Sequence, residues 1–98
     1  MKTSNQKILT LHPAGKTGVR IDLVKYETIK NAIVAILKKK KIVTFEGLAE
    51  DVVAKLENRF EGSILWYYTT VKLDLEARNV IRRVPGSRPQ QITLEKKL

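Results

Sequence analysis

The run SILWYYTTVKLDLEARNVIRRVPGSRPQQITL, residues 63–94, decides the fold. It opens on Ser63, whose hydroxyl suits the first free N–H groups of a helix. Ile64, Tyr68, Val71 and Leu75 then recur at helical spacing, which predicts a helix over about residues 64–78 with those four on its core face. Asn79 stands where a left-handed residue ends a helix, a conformation that Asn tolerates. Val80 to Val84 and Gln90 to Leu94 are short strand-like runs around Pro85-Gly86-Ser87-Arg88-Pro89, hence a hairpin.

Working towards the N-terminus, Gly62-Ser63 separates this helix from an earlier one. Thr44 is its cap, and Leu48, Val52, Leu56 and Phe60 form its apolar stripe. Val43 and Leu48 are spaced for a hydrophobic staple, and Glu46 suits its first turn. Two helices with a short link form a helix-turn-helix, and the trailing hairpin is a wing. Before them, Asp22 is placed as the N-cap of a helix over about residues 23–40, with Tyr26, Ile29, Ile33, Ile36 and Leu37 on its apolar face. That helix ends in Lys38-Lys39-Lys40-Lys41, where cations meet the negative end of the macrodipole. Ile42-Val43 can add a third strand to the hairpin, which a lone two-stranded ribbon needs for stability. Ile8, Leu9 and Leu11 form a short strand-like run that breaks at His12-Pro13-Ala14-Gly15. The expected architecture is α+β and mostly helical: an N-terminal arm at 1–21, a winged helix-turn-helix at 22–94 and a basic tail at 95–98.

Composition narrows the function. The chain has 98 residues, 43% of them hydrophobic, enough for one modest core and no interdomain cleft. Cysteine is absent, which excludes disulfides, cysteine-bound metal and thiol chemistry. Met1 to Gln6 is polar, unlike a signal peptide, and no apolar run reaches membrane-spanning length, so the expected location is cytoplasmic. The formal net charge is +9 and the pI about 10.0, a balance that attracts polyanions. The cations lie at both ends and on the first helix. Residues 44–61 reverse the sign, with five acids against Lys55 and Arg59.

Val71-Lys72-Leu73-Asp74-Leu75-Glu76-Ala77-Arg78-Asn79-Val80-Ile81-Arg82-Arg83-Val84 resembles the recognition-helix-to-wing passage of bacterial winged-helix transcriptional regulators. In those, Leu-Glu-x-x-Gly precedes two apolar residues and then basic ones; here Asn79 takes the Gly place. His12-Pro13, Gly15-Lys16-Thr17, Arg20-Ile21-Asp22, Tyr26 and Pro85-Gly86-Ser87-Arg88-Pro89-Gln90 extend the pattern, which resembles a family of small uncharacterised bacterial proteins over about residues 12–94. The resemblance implies the fold and leaves the activity open.

Thr10 to Thr17 is one glycine short of a phosphate-binding loop. Thr10 stands in the first glycine's place, and Pro13 removes an N–H donor, so nucleotide hydrolysis is not expected. His12 is the lone histidine and has no arranged nucleophile or acid; no catalytic residue, metal site, cofactor or small-molecule substrate is indicated. The wing is the better candidate. Arg82, Arg83 and Arg88 are placed for phosphates, with Lys72 beside them and Tyr67 and Thr70 as base contacts. Lys38 to Lys41 suits either phosphates or the helix end.

The last helix carries a second apolar stripe, Trp66, Leu73 and Ala77, opposite its core face. Three arrangements account for it: the arm covers it, two copies pair through it, or it faces DNA with the threonines. The reading is therefore a double-stranded DNA-binding winged-helix protein, a small transcriptional regulator or nucleoid-associated accessory factor, and not an enzyme. The alternative is a protein-interaction module whose Trp66, Leu73 and Ala77 face docks a partner or forms a homodimer.

Overall fold

A computed structural model describes residues 6–95 of the chain; residues 1–5 of the expected arm and 96–98 of the expected basic tail lie outside the described residues. Eight elements follow in order: β1 (Lys7–Leu9), β2 (Arg20–Asp22), α1 (Leu23–Lys40), β3 (Ile42–Thr44), α2 (Phe45–Leu56), α3 (Ile64–Ala77), β4 (Ile81–Arg83) and β5 (Gln91–Leu94). The fold is α+β, with three helices and two small antiparallel sheets among the described residues.

Helical periodicity places the core. Tyr26, Ile29, Ala32, Ile33 and Leu37 of α1 are buried against Leu48, Val52 and Leu56 of α2 and Tyr68, Val71 and Leu75 of α3. The sheets close the ends of this layer with Ile21, Ile81 and Ile92. Thr44 and Ser63 cap α2 and α3, accepting from the N–H groups of Gly47 at 2.9 Å and Trp66 at 3.1 Å. Lys41 and Asn79 adopt left-handed φ values of 73° and 65° just past α1 and α3.

Two local expectations fail for identifiable reasons. Asp22 does not cap α1 with its side chain. Its backbone ends β2, its carboxylate faces Lys7 across the hairpin at 4.0 Å, and the Leu23 N–H donates to the carbonyl of Gln6 at 3.0 Å. Phe60 does not continue the stripe of α2. The helix stops at Leu56, Asn58 turns left-handed with φ 74°, and the Phe60 ring packs beside Tyr67 with centroids 5.2 Å apart.

Residues 6–21 form an ordered hairpin. Ile8 pairs with Ile21, and beyond the strands the Thr10 and Val19 backbones meet at 2.8 Å. Gly18 is needed there, since a Cβ would lie 1.8 Å from the Thr10 carbonyl oxygen. In the second sheet β5 is central. Ile92 lies opposite Val43 of β3 and Arg83 of β4, so the short Ile42–Thr44 strand does join the C-terminal hairpin.

One side chain ties these parts together. Asp74, on α3, is completely buried. Its oxygens accept from the Leu11 N–H at 2.9 Å, the Tyr26 hydroxyl at 2.5 Å and the Arg78 Nε at 2.9 Å. The N-terminal hairpin, α1 and the end of α3 thus share one carboxylate. Burial, together with this hydrogen bond and the Asp74 charge, pushes the Tyr26 phenol well above its ordinary value. Burial does the same for Tyr68, whose hydroxyl donates to the Phe45 carbonyl at 2.8 Å.

Asp74→Ala is expected to destabilise the fold by about 3–5 kcal/mol in denaturant titration, because a buried pair loses one partner. Wild-type stability in that variant contradicts the central role of the carboxylate. The tyrosines give a pH test. Their folded pKa values lie above the unfolded value near 10.0, so the stability they confer is complete below about pH 10 and is lost as pH rises through the folded values. In a Tyr67→Phe background, phenolate absorbance should appear together with the loss of helical circular dichroism. Phenolate forming at ordinary tyrosine pH in an intact helix spectrum contradicts this.

Candidate nucleic-acid interface

Strand alternation points Arg82 away from the core and Arg83 to the side of Ile81, where its long side chain reaches out past the short strand to Glu76 of α3. Ile81 is buried, while Arg82 and Arg83 are exposed. Arg82 Nε lies 3.2 Å from Glu95 Oε1, and Arg83 Nε lies 3.2 Å from Glu76 Oε2. About half of each arginine side chain remains accessible. Arg88 lies in the turn between β4 and β5, is exposed and has no ion-pair partner among the described residues.

Lys72 departs from expectation. Its side chain is only 4% exposed. The ammonium sits 2.7 Å from Glu76 and 2.9 Å from Gln90 Oε1, and 5.1 Å from the centre of the Phe45 ring. Desolvation pushes its pKa down, with Glu76 pulling the other way. This lysine braces α3 against the sheet and cannot reach a phosphate. The cause is packing: the flank of α3 just past Val71 lies under the C-terminal hairpin, so a residue that spacing alone puts near the surface is enclosed.

Tyr67 and Thr70 are also not free readers. The Tyr67 ring meets Trp66 edge-on at 4.9 Å, with the Lys25 ammonium 5.3 Å from its centre. Thr70 and Leu73 line a small depression closed on its other side by Thr10, Leu11, His12 and Val19. Ala77 lines the next groove, together with Pro13 and Lys16. The N-terminal hairpin therefore lies along Thr70, Leu73 and Ala77 and partly buries them, anchored by the Leu11–Asp74 hydrogen bond. Trp66 stands beyond it, 48% exposed, and Leu65 beside it is 55% exposed. The second apolar stripe is thus divided between a covered part and an open end.

The balance of ion pairs defines the electrostatics. Asp22, Asp51, Asp74, Glu76 and Glu95 engage Lys7, Lys40, Arg78, Lys72, Arg83 and Arg82. Among the described residues, Lys16, Arg20, Lys25, Lys30, Lys38, Lys39, Lys41, Lys55, Arg59 and Arg88 have no carboxylate at ion-pair distance. The unpaired carboxylates are fewer: Glu27, Glu46, Glu50, Glu57 and Glu61. All but Glu27 lie on α2 or the turn after it. There Glu50 and Glu57 flank an apolar groove formed by Ala49, Val53, Ala54 and Leu65.

The remaining motifs resolve simply. The Thr10–Thr17 run leads into β2, so no helix N-terminus follows to receive a phosphate. His12 Nδ1 accepts the Ala14 N–H at 3.0 Å as part of the turn. Among the described residues no cluster of His, Asp or Glu is placed to hold a metal ion, and no helix is long and apolar enough to cross a membrane.

Against known proteins, the model of a family described as "Family of unknown function (DUF6958)" matches residues 7–92, and the chain belongs to that family. Comparison with curated proteins gives no match.

Leu73→Asp tests the covered stripe. It places a carboxylate beneath the hairpin, next to buried Asp74, and is expected to lower stability by about 2–4 kcal/mol. Trp66→Ala, at the open end, should change stability far less. Equal melting temperatures for Leu73→Asp and the wild type would show that the hairpin does not cover the helix.

Proposed function

We propose that this family member is a winged helix-turn-helix protein that binds double-stranded DNA through its phosphate backbone, as a small transcriptional regulator or nucleoid-associated accessory factor. In this reading α2, the turn after it and α3 are the helix-turn-helix, and β4 and β5, with β3 added, are the wing. The observation that carries it is the surplus of unpaired, exposed cations over unpaired carboxylates. Every phosphate neutralised by such a cation releases a condensed counterion, which drives sequence-independent binding.

The chemistry of α3 supports backbone contact rather than base readout. Base edges are read chiefly by Arg, Asn, Gln and Lys, with Ser and Thr as less specific contacts. The helix has none of the first three, and its lysine is internal. Arg82, Arg83 and Arg88 remain as phosphate contacts on the hairpin; Arg82 and Arg83 each share an ion pair at 3.2 Å yet stay about half exposed. A second reading has its own support. The apolar groove of Val53 and Leu65, rimmed by Glu50 and Glu57, suits a protein partner with a basic rim.

Titration of labelled duplex, single-stranded DNA and RNA separates the two. Duplex binding at micromolar concentration or tighter is expected at ~50 mM salt, falling steeply as salt rises. Leu65→Asp should leave this binding within about twofold, since α3 does not read bases. No binding with protein well above micromolar concentration transfers the function to the docking groove.

A further inference from the structure

We infer that the phosphate backbone is held at the C-terminal end of α1, by Lys38, Lys39, Lys41, Lys55 and Arg82, on a surface separate from α3; this rests on the nucleic-acid reading above. These residues come from three elements and meet only through packing. On one side of the helix end a groove is bounded by Lys38, Lys41 and Arg82. On the other, a groove between α1 and α2 is bounded by Lys39, Lys40 and Lys55.

Register explains how Arg82 arrives there. Thr93 of β5 lies opposite both Ile42 and Arg82, and its hydroxyl donates to the Lys41 carbonyl at 2.8 Å. Arg82 is therefore two strands, roughly 10 Å, from Ile42, which follows Lys41. The left-handed turn at Lys41 delivers the chain into β3 without leaving this surface. Lys55 arrives differently, from the last turn of α2, in an otherwise acidic stretch.

Helix-end electrostatics do not account for the cluster. The C-terminal macrodipole amounts to about half an elementary charge, whereas four consecutive lysines stand here, and Lys55 and Arg82 lie on other elements. Neutralisation is slight: Asp51 holds Lys40 at 2.7 Å, and Glu95 holds Arg82 at 3.2 Å. Lys38, Lys39, Lys41 and Lys55 have no carboxylate at ion-pair distance among the described residues. Mutually repelling cations gathered on an exposed surface are the complement of a phosphodiester chain. The outward side of α2 carries Glu46 and Glu50, with Glu57 just past its end, and repels one. The charge distribution thus turns the backbone away from the α2 and α3 faces and towards the end of α1.

The test compares two triple variants of equal charge in duplex titrations. Lys38→Gln/Lys39→Gln/Lys41→Gln removes the cluster at the helix end. Lys16→Gln/Arg20→Gln/Arg59→Gln removes three exposed, unpaired cations elsewhere. The first should weaken binding at least about tenfold more than the second and lower the slope of log affinity against log salt by roughly 3. The double variant Lys55→Gln/Arg82→Gln should lower it by roughly 2, which gives a second measurement should the helix-end variant melt early. Equal losses in the two triples would mean that only net charge matters, and would overturn the site while leaving nucleic-acid binding intact. Failure of the wild type to bind duplex, single strands or RNA overturns the functional reading itself.

Discussion

The buried carboxylate of Asp74 is the constraint on which the rest of the structure depends. A charge taken out of water is tolerated only with a counter-charge and filled hydrogen-bonding positions. Asp74 obtains these from Arg78 four residues on, from Tyr26 of α1 and from the Leu11 N–H of the N-terminal hairpin. Satisfying one carboxylate therefore fixes where α1 crosses α3 and where the hairpin lies. That position determines which part of α3 remains open, because the anchored hairpin runs along Thr70, Leu73 and Ala77.

The opposite flank of α3 follows the same logic. Lys72, Glu76, Arg83 and Gln90 form a polar network under the C-terminal hairpin, with Lys72 and Glu76 almost fully enclosed. A helix whose polar residues would ordinarily face solvent has directed three of them, Lys72, Asp74 and Glu76, into the joints with its neighbours. Its outward surface is left with Leu65, Trp66 and Thr69. Such a helix is a central strut, and recognition by charge has to occur elsewhere. The segregation of most unpaired carboxylates onto α2 and the turn after it, and of lysines onto the end of α1, provides a surface for it.

Much of the architecture was legible in the residues. The ranges of α1 and α3, the caps Thr44 and Ser63, the left-handed Asn79 and the strands around the Pro85–Pro89 turn follow from spacing and residue type. The misplacements share a cause. Asp22 is an adequate cap by type, but pairing with Lys7 holds it in β2 and turns its carboxylate towards that lysine. Phe60 continues a period of four, but Asn58 breaks the helix before it. Lys72 has the composition of a phosphate contact, yet it is covered by residues that its own neighbourhood does not contain. Of the predicted contact residues, Arg82, Arg83 and Arg88 are accessible, while Tyr67 and Thr70 belong to packed clusters.

The sequence by itself determined the three helices, their ends, the short strands and the excess of positive charge. Each of these depends on residues within about one helical turn or one hairpin. The tertiary structure alone decided which polar side chains lie inside and which cations stand together. Asp74 draws its partners from 63 and 48 residues away, and Lys72 finds Gln90 at a separation of 18. Lys55 and Arg82 reach the end of α1 only because α2 packs on that helix and β5 places β4 beside β3. Burial and proximity at such distances are properties of the packed chain, and no local pattern of residue types encodes them.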